Sequence, residues 1–267
     1  MPKFRLLATD LDDTLLNDRI EISAANRAAL QKAMDLGVLV TIATGRMFRS
    51  ALPVAGELGI RTPIITYQGA LIKDPVTKET LWERPVPLQL ARRVLEEGRR
   101  ADLHINVYVE DSLFVDRITP EGTGYAKLAG VDLNPVGNLS EFLREDPIKI
   151  LFVAEPGLLD KLYRELQDKF GPALYITKSK PNYLEFMHPE ATKKHGLQAL
   201  AQRYGIQREE IIAFGDSYND IDMLEYAGLG VAMGNAPEEI KEKADYVTAD
   251  NNEDGVAAAV RKFVLGE

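Results

Sequence analysis

Short runs rich in apolar residues, each followed by a helix-forming stretch, recur in the first and last thirds of this 267-residue chain. A strand that is apolar on both faces needs cover on both faces. Helices alternating with such strands supply it, and the result is an α/β fold around a Rossmann-like parallel sheet. In the first third, residues 4–9 read as a strand. Ser23 then caps a helix over 24–36, with Ala29, Leu30, Ala33 and Met34 on its apolar face and Gly37 ending it. Residues 38–43 form a second strand. A helix over 48–58 stops at Gly59, and Pro53 inside it predicts a kink or a later start. Pro63 precedes a third strand at 64–67. In the last third, Thr192 caps a helix to Tyr204 that Gly205 stops, and a strand follows at 211–214. A helix to Ala227, a strand at 230–233, a helix opening at Pro237 and a short strand at 245–248 complete the rhythm.

The middle reads differently. Strands such as 104–109 and 183–187 alternate polar and apolar residues, beside two long amphipathic helices near 88–100 and 158–170. That pattern predicts an α+β domain with a half-exposed sheet. The segments Arg84-Pro85-Val86-Pro87 and His188-Pro189-Glu190 read as linkers. Residues 1–82 and 190–267 are therefore expected to form a core. Residues 83–189 are expected to form an inserted α+β cap that rocks over it.

Composition removes several functions. The chain has no cysteine, which excludes disulfides, thiolate nucleophiles and Cys-based metal sites. Its three histidines are scattered, so a His-rich zinc site is not expected. The net charge of −9 argues against nucleic-acid binding. No apolar run approaches the ~20 residues that span a bilayer, so no membrane association is expected. The N-terminal residues enter a strand directly, without an apolar export segment, and a cytoplasmic location is expected. No long apolar stripe marks an interface, so the expectation is a monomer or weak dimer.

The net charge would repel an anionic substrate, so a phosphate site in this chain needs local positive charge. Four segments have the chemistry for one: Asp10 to Thr14, Thr44-Gly45-Arg46, Thr192-Lys193, and Gly215 to Asp220. Three of them follow strands, and ligands of open α/β sheets bind beyond the carboxyl ends of strands. Asp10 and Asp12 repel one another and invite a cation, and Asp216 and Asp220 add negative charge. Magnesium (Mg2+) suits such an all-oxygen set and would polarise a phosphoryl group. The Thr44 hydroxyl and Gly45 amide suit phosphate oxygens. Lys193 offers a fixed ammonium, with Lys194 beside it as a rival. Each segment alone reads equally well as a turn or helix cap; the set, in order and on these elements, does not.

These segments resemble the haloacid dehalogenase-like (HAD) phosphatases, and the cap between the second and third motifs resembles the Cof-type subfamily. The resemblance covers essentially the whole chain, including Ala232 to Ala236 and Glu253 to Val256. It implies that Asp10 attacks phosphorus and forms an aspartyl-phosphate. It implies that Asp12 protonates the leaving oxygen and then activates water, while its backbone carbonyl binds the metal. It assigns metal carboxylates to Asp10 and Asp216, a water-mediated or outer place to Asp220, and phosphoryl binding to Thr44, Lys193 and Asn219. Two positions depart from the subfamily pattern: Asp13 stands where Gly is frequent, and Gln68 where Asn is usual.

The expected activity is hydrolysis of sugar phosphates or related small phosphorylated metabolites. Arg46, Tyr183 and Glu185 are candidate substrate contacts. A phosphomutase on the same scaffold and a non-catalytic phosphometabolite sensor are the alternatives. The complete acidic set weighs against the sensor, which needs no nucleophile.

Overall fold

The computed structural model describes residues 3–267. Internal contacts divide the chain into two compact units. The first comprises residues 1–45, 51–82 and 192–267; the second comprises 46–50 and 83–191.

Along the chain the first strands are β1 (Leu6–Thr9), β2 (Leu39–Ile42), β3 (Ile64–Thr66), β4 (Leu71–Lys73) and β5 (Thr80–Glu83). Next come β6 (His104–Val109), β7 (Ser112–Val115), β8 (Leu133–Pro135), β9 (Lys149–Val153), β10 (Tyr175–Lys180) and β11 (Tyr183–Met187). The last are β12 (Ile211–Gly215), β13 (Leu229–Ala232) and β14 (Tyr246–Val247). The helices are α1 (Ala24–Asp35), α2 (Phe48–Leu58), α3 (Leu88–Arg100), α4 (Pro120–Ala129) and α5 (Leu139–Phe142). They continue with α6 (Pro156–Phe170), α7 (Lys193–Arg203), α8 (Ile221–Tyr226), α9 (Glu238–Lys241) and α10 (Gly255–Val260).

The first unit is built on a five-stranded sheet in the order β14-β13-β12-β1-β2, with every pairing parallel. Leu6, Ala8, Ile211 and Ala213 of the sheet pack with Leu197 and Leu200 of α7 and with Met223 and Leu224 of α8. Each buried aliphatic side chain of this kind contributes about 1.5–3 kcal/mol. Ser23 caps α1 by accepting from the Asn26 amide, as its sequence position predicts. Register fixes what lies at the sheet's carboxyl edge. Thr9 of β1 is level with Ile42 of β2 and Phe214 of β12. The next residues along, Asp10, Ala43 and Gly215, therefore lie level at that edge, with Gly215 closing β12.

Two local expectations need correction. Helix α2 runs from Phe48 to Leu58 with Pro53 inside it, so Pro53 does not delay its start. Proline's fixed φ suits a helix and its ring removes one hydrogen bond; Ala51 and Ala55, both fully buried, anchor the helix by tertiary packing. The third strand, β3, is not a member of the parallel sheet. It pairs antiparallel with β4 in a separate three-stranded sheet and touches the edge beyond β2 through one bridge, Ala43 to Ile65.

The second unit holds a six-stranded sheet, β10-β11-β9-β6-β7-β8. One face, carrying Ile105, Val107, Ile150, Phe152, Leu184 and Phe186, packs on Val94 and Leu95 of α3 and Leu159 and Leu166 of α6. The expectation of a half-exposed sheet fails at β6, β9 and β11, which are buried along their whole length, while β7, β8 and β10 keep partly exposed residues. Polar residues of the second face pair with one another, although Asn106 Nδ2 and Glu185 Oε2 stay unpartnered. Lys149 Nζ lies 3.2 Å from Glu185 Oε1, His104 shares a 2.8 Å hydrogen bond with Asn106, and Tyr108 donates to Tyr125 of α4 at 2.6 Å. Burial of polar groups is tolerable when they are paired in this way.

Candidate active site

The turn after β1 begins at Asp10, whose amide donates to Phe214 O across the sheet at 3.0 Å. The chain then reverses through Asp13 at φ 58, in the left-handed region. Asp is among the few non-glycine residues that accept this region. Asn235 Nδ2 donates to Asp13 O at 2.7 Å, and the Asn251 amide donates to Asn235 Oδ1 at 3.1 Å. The C-terminal loops thus brace the turn. Asn235 stood in a stretch with a subfamily-like look, but no single-residue signal marked its bracing role.

Four charged groups from three segments meet here. Lys193, at the first position of α7, is fully buried, while Lys194 is only partly so. Lys193 Nζ lies 2.9 Å from Asp10 Oδ1 and 2.6 Å from Asp220 Oδ1. Asp220 Oδ2 accepts from the amides of Asp216 and Ser217 at 3.1 and 3.0 Å. Both oxygens of Asp220 are therefore engaged, and the residue fixes the lysine and the loop after β12 together. Asp216 Oδ1 accepts from the Thr14 hydroxyl at 2.5 Å. Asp10, Asp216 and Asp220 each place one oxygen within 4.8 Å of the others.

The electrostatics follow from burial. Desolvation raises the Asp10 carboxyl well above its ordinary range; Lys193 opposes that rise, and Asp220, Asp216 and Asp12 add to it. Asp216 is pushed up to about 7, first by burial and then by Asp220. Burial disfavours the Lys193 ammonium, but attraction to Asp10 and Asp220 outweighs it and holds the pKa above its usual value. Three carboxylates against one ammonium leave excess negative charge, which adds to burial in raising the Asp10 and Asp216 carboxyls. An all-oxygen donor set with unmet negative charge fits a hard divalent cation.

The second motif sits beside this cluster in the first unit. Thr44 is 1% exposed, and its backbone is pinned by Thr44 N to Ile65 O at 2.9 Å and Gln68 N to Thr44 O at 3.0 Å. A Cβ on Gly45 would come within 2.5 Å of Gln68 Nε2. Gln68 itself is left-handed, at φ 59, and its Oε1 accepts from Asn219 Nδ2 at 2.8 Å. Gly69, at φ +105, packs against Thr192 O, where a Cβ would lie 2.0 Å away. Asp12 is exposed. Arg46, Tyr183 and Glu185 fall in the second unit. There Tyr183 lies edge-on to Tyr125, and Glu185 holds the ion pair with Lys149 and accepts from Ser179 at 2.8 Å.

A parallel sheet with carboxylates and a buried lysine gathered at its carboxyl edge places the first unit in the α/β class. The family model for haloacid dehalogenase-like hydrolases matches residues 7–260, and the chain belongs to that family. It is similar to a 5-amino-6-(5-phospho-D-ribitylamino)uracil phosphatase of Bacillus subtilis, with 32% identity and 97% of each chain covered. Another phosphatase of that organism is 31% identical over 97% of this chain and 100% of the relative. Among solved structures, a haloacid dehalogenase-like hydrolase from Bacteroides thetaiotaomicron superposes with a TM-score of 0.90 at 32% identity, covering 97% of this chain and 99% of that one. A structure from Thermotoga maritima gives 0.88 at 35% identity, with 97% of each chain covered. The protein is accordingly a Cof-type phosphoric monoester hydrolase. Among the described residues, no helix is long and apolar enough to cross a membrane.

Proposed function

We infer that the protein hydrolyses small phosphate monoesters, such as sugar phosphates, in a magnesium-dependent reaction through an aspartyl-phosphate on Asp10. The observation that carries this reading is the meeting of Asp10, Asp216 and Asp220 around the buried Lys193. Asp10 and Asp216, with the Asp12 backbone carbonyl, would hold Mg2+. Asp220, with both oxygens already engaged, would act behind them. The ion supplies charge neutralisation and polarisation of the phosphoryl group.

The chain's own groups divide the remaining work. An Asp10 carboxylate oxygen bonds to phosphorus as the bond to the leaving oxygen breaks, and Asp12 gives that oxygen a proton. The Asp12 carboxylate then takes a proton from water. The resulting hydroxide bonds to phosphorus, the bond to Asp10 breaks, and inorganic phosphate leaves. Lys193 opposes the effect of desolvation on Asp10 and would face the phosphoryl charge. The Thr44 hydroxyl, the Gly45 amide and Asn219 bind phosphoryl oxygens, so most of the acceleration comes from positioning and charge neutralisation.

Residues 83–189 are proposed as the cap that selects the organic part of the substrate through Tyr183 and Glu185, with Arg46 as a further contact from outside those bounds. Glu185 Oε2 is buried with no hydrogen-bond partner, which suits it to accept from a ligand hydroxyl. Relatives named for a phosphorylated ribityl compound put phosphorylated polyols on the substrate panel beside sugar phosphates.

The test is release of inorganic phosphate from an aryl phosphate, with and without magnesium, by the wild type and Asp10→Asn. Stoichiometric phosphate release that needs magnesium and disappears in the variant is expected. Equal turnover by both proteins would overturn the nucleophile assignment.

A further inference from the structure

Gln68 holds a contact that the reaction as described leaves unexplained. It lies in the turn between β3 and β4, is 2% exposed, and adopts a left-handed backbone that a long side chain seldom takes. Its backbone amide ties the turn to Thr44 O, the adjacent Gly69 packs on Thr192 O, and its side chain reaches Asn219. One turn therefore touches all three segments proposed to hold the phosphoryl group.

The Asn219 amide is only half satisfied. Its Nδ2 donates to Gln68 Oε1, while its Oδ1 is buried and has no partner. A buried acceptor left unpaired is unfavourable, because it has lost water without gaining a donor. An incoming phosphoryl group cannot relieve this, because its ionised oxygens only accept hydrogen bonds. The Gln68 amide can. Its Nε2 lies beside Gly45, the one residue type that leaves room for it there. If both side-chain amides rotate by half a turn, Gln68 Nε2 donates to Asn219 Oδ1. Asn219 Nδ2 is then released to donate to a phosphoryl oxygen. The buried Asn219 acceptor is then paired and its donor faces the anion, while Gln68 Oε1 turns to the Gly45 side.

We propose that Gln68 is a positioning residue for phosphoryl binding, acting through Asn219 as a paired amide that turns when the anion enters. The proposal rests on the reading of Asn219 as a phosphoryl-binding residue. It adds that Asn219 does this only as well as Gln68 orients it. Because the Gln68 amide exerts its effect through one neighbour, its contribution must vanish when that neighbour is gone.

A double-mutant cycle on the full-length protein tests this, with calorimetric binding of inorganic phosphate in the presence of magnesium as the readout. Gln68→Met keeps the length and removes the amide, and it is expected to weaken phosphate binding about tenfold, the scale of one hydrogen bond to a charged group. Asn219→Leu is expected to weaken binding at least as much. In the Asn219→Leu background, Gln68→Met should add less than about twofold. Gln68→Asn suits the positive φ and serves if the Met variant unfolds. Its amide stands a methylene short of Asn219, so a smaller loss is expected, again absent without Asn219. An equal loss in both backgrounds, or no loss in either, overturns the proposal. So does a wild type that binds no phosphate. Phosphate binding with the expected cycle but no hydrolysis of any monoester would sink the phosphatase mechanism and leave the Gln68 assignment standing.

Discussion

Lys193 Nζ sits 2.6 Å from Asp220 Oδ1, with both side chains fully buried, and the same ammonium reaches Asp10 at 2.9 Å. One cation thus joins the proposed nucleophile to the loop carrying the proposed metal carboxylate. Breaking a buried pair by removing one partner costs about 3–5 kcal/mol, because the other charge stays behind in a medium that solvates it poorly. Lys193→Met is expected to lower stability by that amount in denaturant titrations of the metal-free protein. Turnover should fall by about a hundredfold or more. An unchanged unfolding midpoint would show that the triad carries no structural load.

Magnesium should stabilise the protein more at pH 8 than at pH 5.5. In the metal-free folded site Asp216 titrates at about 7, against an ordinary 3.8. Between those values the folded state keeps a proton that the unfolded chain has lost. The stability this proton represents is complete below the lower value and is lost as pH climbs to the upper one. Asp10, raised by burial in the same direction, adds to the trend. The cation binds the deprotonated carboxylates, so its gain in Tm should grow across that window. Melting curves with and without magnesium from pH 5 to 8.5 measure this, and a pH-independent gain would contradict it.

Two glycines separate backbone strain from steric contact. Gly37 and Gly69 both have positive φ, at +85 and +105. A Cβ on Gly37 meets nothing within 4 Å, whereas one on Gly69 falls 2.0 Å from Thr192 O. Gly37→Ala is expected to cost about 1 kcal/mol, from strain alone. Gly69→Ala should cost about 2–4 kcal/mol and also reduce turnover, since it displaces the start of α7 that carries Lys193. Thermal unfolding of the two variants side by side checks the difference; equal losses would mean that the close approach of Gly69 is unimportant.

In the second unit, Lys149 and Glu185 are 2% and 5% exposed at their side chains and 3.2 Å apart. Lys149 also lies over the Tyr108 ring, 4.8 Å from its centroid. Lys149→Met should destabilise by about 3 kcal/mol, and Lys149→Met with Glu185→Leu by clearly less, because the second change removes the stranded carboxylate. Chemical denaturation of the single and double variants reads the coupling directly. A double variant no more stable than the single one would refute it.

Much of the first unit is legible before any coordinates. Helix α1 and the strands β1 and β2 fall where their apolar residues predict them, because burial against a neighbouring layer imposes a pattern that local sequence records. Ser23 and Thr192 act as caps for a similarly local reason: the bond each accepts comes from a residue three positions along. The motif segments are legible because chemistry at a strand's carboxyl end needs particular residue types at short spacing. The buried polar face in the second unit was not. Alternation announces a polar face, but whether water or another side chain satisfies it depends on residues far away in the chain.

Sequence by itself determined the class of fold, the segments that carry the chemistry, and the two positions, Asp13 and Gln68, set apart from the pattern of the family it resembles. Both departures turn out to be left-handed backbone positions. Tertiary structure decided the rest: that Lys193 and not Lys194 is buried, that Asp220 has both oxygens engaged, and that Gln68 reaches Asn219 across 151 positions of sequence. Periodicity and capping act over a few residues, so a linear reading captures them. Charge, desolvation and hydrogen-bond satisfaction act over a few ångströms, and only the folded chain says which residues are that close.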